Sequence, residues 1–156
     1  MKWLPIVLAS LAACTPVDNG MIPGVEGPIV LPLYVDGDDD GAGEWWNGYS
    51  VLPLFEAGVA PDVDETGWVY VRHGFLRPGV RGEAIVTTSP RGEVLWCDVT
   101  IDDPAPEVYR HELGHCLGLA DDPRSLDLGS IMSNPTMADG EPTGHDVECV
   151  LRGCDD

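Results

Sequence analysis

Two histidines four residues apart enclose a glutamate in His111-Glu112-Leu113-Gly114-His115-Cys116-Leu117-Gly118-Leu119-Ala120-Asp121. On an α-helix, residues at this spacing stand one turn above each other, so His111 and His115 leave the same face. Two imidazoles so placed can ligate one zinc ion. Glu112 falls beside the ion rather than on it, where it can accept a proton from an activated water. Leu113 and Leu117 fall on the opposite face, suited to burial against a sheet. With only 4 His in 156 residues, the His-Glu-x-x-His spacing arises by chance in about 0.6% of such chains. Adding Gly118 and Asp121 lowers that to roughly 1 in 10,000, so surface histidines on an ordinary helix are a poor account of it.

Elements able to position these residues can be read on either side. Proline and polar residues at 102–106 start a helix over Glu107–Gly118, and Gly118 stops it. Upstream, Trp68–Arg72, Glu83–Thr88 and Val94–Ile101 are rich in Val, Ile, Thr and Trp and read as strands, with Pro90-Arg91-Gly92 turning between the last two. Ile29–Val35 reads as a first strand, its Pro32 implying an edge position or an irregular start. Glu44–Ala57, with Trp45, Trp46, Leu52, Leu54 and Phe55, reads as a helix despite Gly48 and Pro53. A short helix from about 142 to 151 closes the chain, with Thr143 and Asp146 as a capping pair. This order predicts an α+β (α/β-like) single domain with one mixed sheet, an active-site helix and a C-terminal helix.

His-Glu-x-x-His-x-x-Gly-x-x-His/Asp is the signature of the metzincin zinc proteases, and His111, Glu112, His115, Gly118 and Asp121 fill it in order. Aspartate in last place resembles the small snapalysin-type bacterial enzymes. Gly118 suits a chain that must leave the helix and double back. Asp121 is therefore the choice for third ligand, ahead of Asp122 and then His145. Ser130-Ile131-Met132-Ser133 resembles the Met-turn of that clan, especially of the matrixins, in which the methionine floors the metal-binding histidines. Asn134 stands where some metzincins carry an extra tyrosine ligand, and too few residues precede the domain to expect a latency propeptide. The specific motifs lie within 107–133. The resemblance implies a zinc endopeptidase with Glu112 as general base, acting on polypeptide paired along an edge strand, best at Glu83–Thr88. The competing class is a peptide- or metal-binding lipoprotein with negligible turnover; the intact Glu112 argues against it.

The N-terminus resembles a bacterial lipoprotein signal. Lys2, an apolar stretch from Trp3 to Ala9, and Leu11-Ala12-Ala13-Cys14 imply cleavage before a lipidated Cys14. Residues 1–13 would be the signal peptide, 14–28 the lipidated end and a flexible tether, and 29–156 the metzincin-like domain. Thr15 after the cysteine implies the outer membrane of a bacterial envelope, with the membrane reached through the lipid alone and the protein monomeric. Four cysteines remain, Cys97, Cys116, Cys149 and Cys154. No Cys-x-x-Cys pair supports a zinc ribbon. In an exported chain they suggest two disulfides; of three connectivities, Cys97–Cys116 and Cys149–Cys154 are expected. A net charge of −19 excludes the basic patch that nucleic acid requires. No Gly-x-Ser-x-Gly element supports a serine nucleophile.

Asp36, Asp38 and Asp40 stand at alternate positions before Gly41, like the first half of a calcium loop. Glu44 falls at the ninth position, but Asn47 occupies the twelfth, where a bidentate glutamate belongs. Structural Ca²⁺ beside the Zn²⁺ is thus one reading of this loop. A solvated acidic turn is the other.

Overall fold

Strands rich in β-branched residues dominate the middle of the chain, and the computed structural model assembles them into one mixed sheet. It describes residues 10–11, 22, 25, 29–58, 66–121, 131–132 and 140–152. The elements are β1 (Ser10–Leu11), β2 (Leu33–Asp36), α1 (Ala42–Asn47), β3 (Phe55–Ala57), β4 (Trp68–His73), β5 (Gly82–Thr88), β6 (Val94–Ile101), α2 (Pro106–Cys116) and α3 (Gly144–Arg152). Sheet order is β1-β5-β6-β4-β2-β3. β3, β2, β4 and β6 run parallel, and β5 pairs antiparallel with β6. Five strands thus make the body of the sheet, and the two residues of β1 pair antiparallel on its β5 edge, Leu11 opposite Ile85. The α+β class is as expected. Among the described residues no helix is long and apolar enough to cross a membrane.

Alternation builds the core. Cys97, Val99 and Ile101 of β6 are buried, whereas Trp96, Asp98 and Thr100 between them are less so. Val69 and Val71 repeat the pattern on β4; α2 packs on β5 and β6, and its Leu113, with Leu117 just past its end, is fully buried in the same core. Strands β4, β5 and β6 fall within a residue of their expected bounds. Residues Ile22 and Val25, in the stretch expected to be a tether, are buried in this same core, and the Ile22 N–H donates to the Gly118 carbonyl at 2.7 Å.

Two expectations need correction. The helix expected over Glu44–Ala57 stops at Asn47, and Phe55–Ala57 is a strand. Gly48 ends the helix, and the Asn47 side chain then folds back on the chain. Its Oδ1 accepts the N–H groups of Leu54 (2.7 Å) and Phe55 (3.0 Å), while its Nδ2 donates to the Phe55 carbonyl (2.8 Å). The strand expected over Ile29–Val35 is β2, which begins at Leu33, just after Pro32; of the two readings of that proline the edge position fails, because β2 lies inside the sheet between β3 and β4. Starting beyond the proline leaves every residue of β2 with an N–H to offer.

Helix α2 is held at both ends. Pro106 opens it, where a missing N–H costs nothing. Arg81, just before β5, donates to Asp103 (2.7 Å) and to Glu107 (2.9 Å) in the first turn. At the far end a disulfide joins Cys116 to Cys97 of β6, with Cα atoms 5.5 Å apart. Cys149 is also disulfide-bonded, and Cys154 lies outside the described residues. On α3 the Thr143 Oγ1 accepts the Asp146 N–H (3.1 Å) and an Asp146 oxygen accepts the Thr143 N–H (2.7 Å), the reciprocal cap read from the sequence.

Candidate metal centre

One turn of α2 places His111 and His115 side by side, their rings nearly perpendicular with centroids 4.6 Å apart. Both are buried. Beyond Cys116, Leu117 and Gly118 reverse the chain, Gly118 at φ +82°, a conformation that glycine adopts without strain. The Leu119 N–H bonds back to the Gly114 carbonyl, and the returning chain brings up Asp121. The Asp121 Oδ1 then stands 3.2 Å from His111 Nε2 and 3.6 Å from His115 Nε2, while the two Nε2 atoms are 3.1 Å apart.

The outer nitrogens fix this arrangement. His111 Nδ1 donates to the Ile131 carbonyl and His115 Nδ1 to the Leu119 carbonyl, each at 2.8 Å. With those protons committed, two neutral rings turn their Nε2 lone pairs toward each other and toward a carboxylate. That grouping is repulsive unless a cation sits among the three atoms, and a proton or a metal ion serves. It is the outer-sphere pattern by which carbonyls hold metal-ligating imidazoles in the correct tautomer. His111, His115 and Asp121 are also the one group of this kind among the described residues whose ligand atoms come within 4.8 Å of one another. The donor set fits a divalent transition metal ion.

The charges follow from burial. Desolvation, with the neighbouring His111, pushes the His115 imidazolium down to about 4, leaving its Nε2 unprotonated at neutral pH. For His111 burial pulls the same way, but the Asp121 hydrogen bond and the Glu112 charge outweigh it and raise the pKa. Burial favours the neutral form of Asp121 too, yet the bond to His111 and both imidazole charges hold it below the ordinary carboxylate range. Glu112 lies next to this group without joining it. Burial lifts its carboxyl to about 7, with Asp121 and Glu83 adding to the rise against the pull of His111.

No family profile, curated protein or solved structure matches the chain.

Met132 is fully buried and lies against α2 at Gly114, the residue before His115. A β-carbon on Gly114 would overlap its sulfur and come within 3.0 Å of the Trp46 ring. Trp46, fully buried in α1, also donates its indole N–H to the Arg110 carbonyl of α2 at 2.8 Å. Of the other candidates for third ligand, Asp122 lies outside the described residues, as does the side chain of His145. Cys14 does so too.

Of the two readings of the acidic loop, the structure displays the turn. Asp36, Asp38 and Asp40 do not converge on a common point. Two of the loop's carboxylates bond its own backbone: Asp38 accepts the Asp40 N–H, and Asp39 accepts those of Gly41 and Gly43 at the start of α1. Sequence reasoning missed Trp46, the carbonyls of Leu119 and Ile131, and the packing role of Gly114. A backbone carbonyl has no residue signature, and Gly114 occupies a position that the spacing leaves unspecified.

Proposed function

We propose that this chain is a zinc-dependent endopeptidase of metzincin type, carried as a lipoprotein in a bacterial envelope. The observation that supports it best is the position of Glu112, a buried carboxyl beside three converging ligands yet not one of them. His111, His115 and Asp121 would hold the zinc. Once bound, zinc supplies Lewis acidity toward a peptide carbonyl and toward water. Glu112 then takes the proton of the attacking water and returns it to the departing amine. A carboxyl with a pKa near neutrality suits both halves of that transfer.

The reading also gives the substrate a seat. Strand β5 flanks α2, and Ser10–Leu11 pair on it antiparallel. Those two residues belong to the stretch read as signal peptide, so processing at Cys14 would leave the edge open to an extended polypeptide. Met132, packed under Gly114, is the apolar floor of a Met-turn.

The test is a purified chain beginning at Cys14, assayed for zinc content and for cleavage of dye-labelled casein with and without a chelator. About one zinc per chain and chelator-sensitive cleavage are expected, with cleavage lost in Glu112→Gln. Cleavage that survives both complete zinc removal and Glu112→Gln would overturn the proposal.

A further inference from the structure

Glu112 is buried, and among the described residues no hydrogen bond orients its carboxyl. The space it occupies is shaped by packing against β5. A β-carbon on Gly82 would lie 2.6 Å from Glu112 Oε1, 2.8 Å from Glu112 Cγ and 2.7 Å from Val108 Cγ1. Each distance is well inside van der Waals contact. Gly82 is thus the notch that the carboxyl occupies, with Val108 as its other wall. The backbone angles of Gly82 are not of the left-handed kind, so conformational need does not explain the glycine.

The notch is also fixed in place. Arg81, the preceding residue, spans Asp103 and Glu107 with its guanidinium, and its carbonyl accepts the N–H groups of Asp102 and Asp103. Gly82 itself pairs with Ile101 at the end of β6. The start of β5 is therefore locked to the start of α2, one turn before Glu112.

We infer that Gly82 is a positioning residue for Glu112: its missing side chain sets where the carboxyl stands relative to the metal ligands. The inference rests on the general-base reading of Glu112 given above. A methyl group at 82 pushes the carboxyl aside while leaving His111, His115 and Asp121 in place. A displacement of about 1 Å in a reacting group can cost on the order of 100-fold in rate.

Two measurements decide it. In zinc-loaded protein, Gly82→Ala should lower kcat on dye-labelled casein about 10–100-fold, with KM and zinc content unchanged. In zinc-free protein, thermal melting is followed through a cycle of Gly82→Ala and Glu112→Ala. The methyl group should lower the midpoint by several degrees when Glu112 is present and by clearly less when it is absent. Should Gly82→Ala fail to fold, the cycle is run on a Val108→Ala background, which removes the second wall. Wild-type kcat in Gly82→Ala overturns the inference, as does additivity in the melting cycle or complete rescue of both effects by Val108→Ala. A wild-type protein that cleaves nothing defeats the protease reading instead, and the melting cycle still tells whether Gly82 shapes the seat of Glu112.

Discussion

The sulfur of Met132 stands so close to Gly114 that a β-carbon there would overlap it. The methionine therefore touches the backbone of α2 between its two histidines, a closeness that no other residue at 114 allows.

Gly114→Ala sets two effects against each other. In a helix interior the alanine should stabilise by about 0.5–1 kcal/mol. Overpacking a buried contact costs about 1–3 kcal/mol, and here the obstacles are Met132 and the Trp46 ring. The steric cost should win. Urea unfolding should show net destabilisation, and zinc titration a weaker site. An alanine variant more stable than the parent would mean that Met132 moves away freely.

Glu112→Gln should raise the stability of zinc-free protein in a pH-dependent way. The folded pKa is lifted from 4.5 to about 7. The stability that goes with the neutral carboxyl is whole below the unfolded value and is lost as pH rises through about 7. At pH 8 burying the anion should cost about 3 kcal/mol, and at pH 5 less than about 1. Glutamine avoids that cost. Its advantage in denaturant melts should be large at pH 8 and small at pH 5; an advantage equal at both would refute the buried-anion account.

Asp121→Ala should weaken zinc binding by more than the roughly 10–100-fold typical of losing an outer-sphere partner. Asp122→Ala should retain the metal. Competition against a chromogenic chelator separates the two, and the reverse ranking would move the third ligand by one residue.

Cys97→Ala with Cys116→Ala removes a bridge spanning a sequence separation of 19, and chain entropy sets the cost at about 3 kcal/mol. Because Cys116 adjoins His115, zinc affinity should fall together with stability. Unchanged affinity in the double variant would show that packing alone holds the end of α2.

Cys14→Ala should abolish lipid modification and free the protein from membranes. Fractionation with intact-mass analysis checks this, and an unmodified N-terminus on the parent protein would exclude the anchor.

Much of the site could be read from spacing because its parts lie on one local scaffold. A helix turn brings His111 to His115, and a glycine reversal three residues later returns Asp121. The strands β4 to β6 were likewise legible, since β-branched residues and a Pro-Arg-Gly turn mark them locally. What escaped depends on partners distant in sequence. Strand β3 forms because Asn47 captures Leu54 and Phe55 and because β2 offers a free edge, overriding the helical look of the stretch. The notch at Gly82 has meaning only once β5 lies beside α2. The acidic loop was ambiguous for a different reason: alternating aspartates suit a cation and a run of Asx turns equally well, and the bonds seen are Asx turns made by Asp38 and Asp39.

The bond from the Ile22 N–H to the Gly118 carbonyl bears on how the protein should be produced. A recombinant chain beginning at residue 29, shortly before β2, would strip away Ile22 and Val25 and bare the apolar seat they fill. The uncovered carbonyl belongs to the reversal that carries Asp121. Such a trimmed protein could keep its sheet and still lose zinc during purification, and the loss would reflect the chosen start codon rather than the chemistry of the ligands.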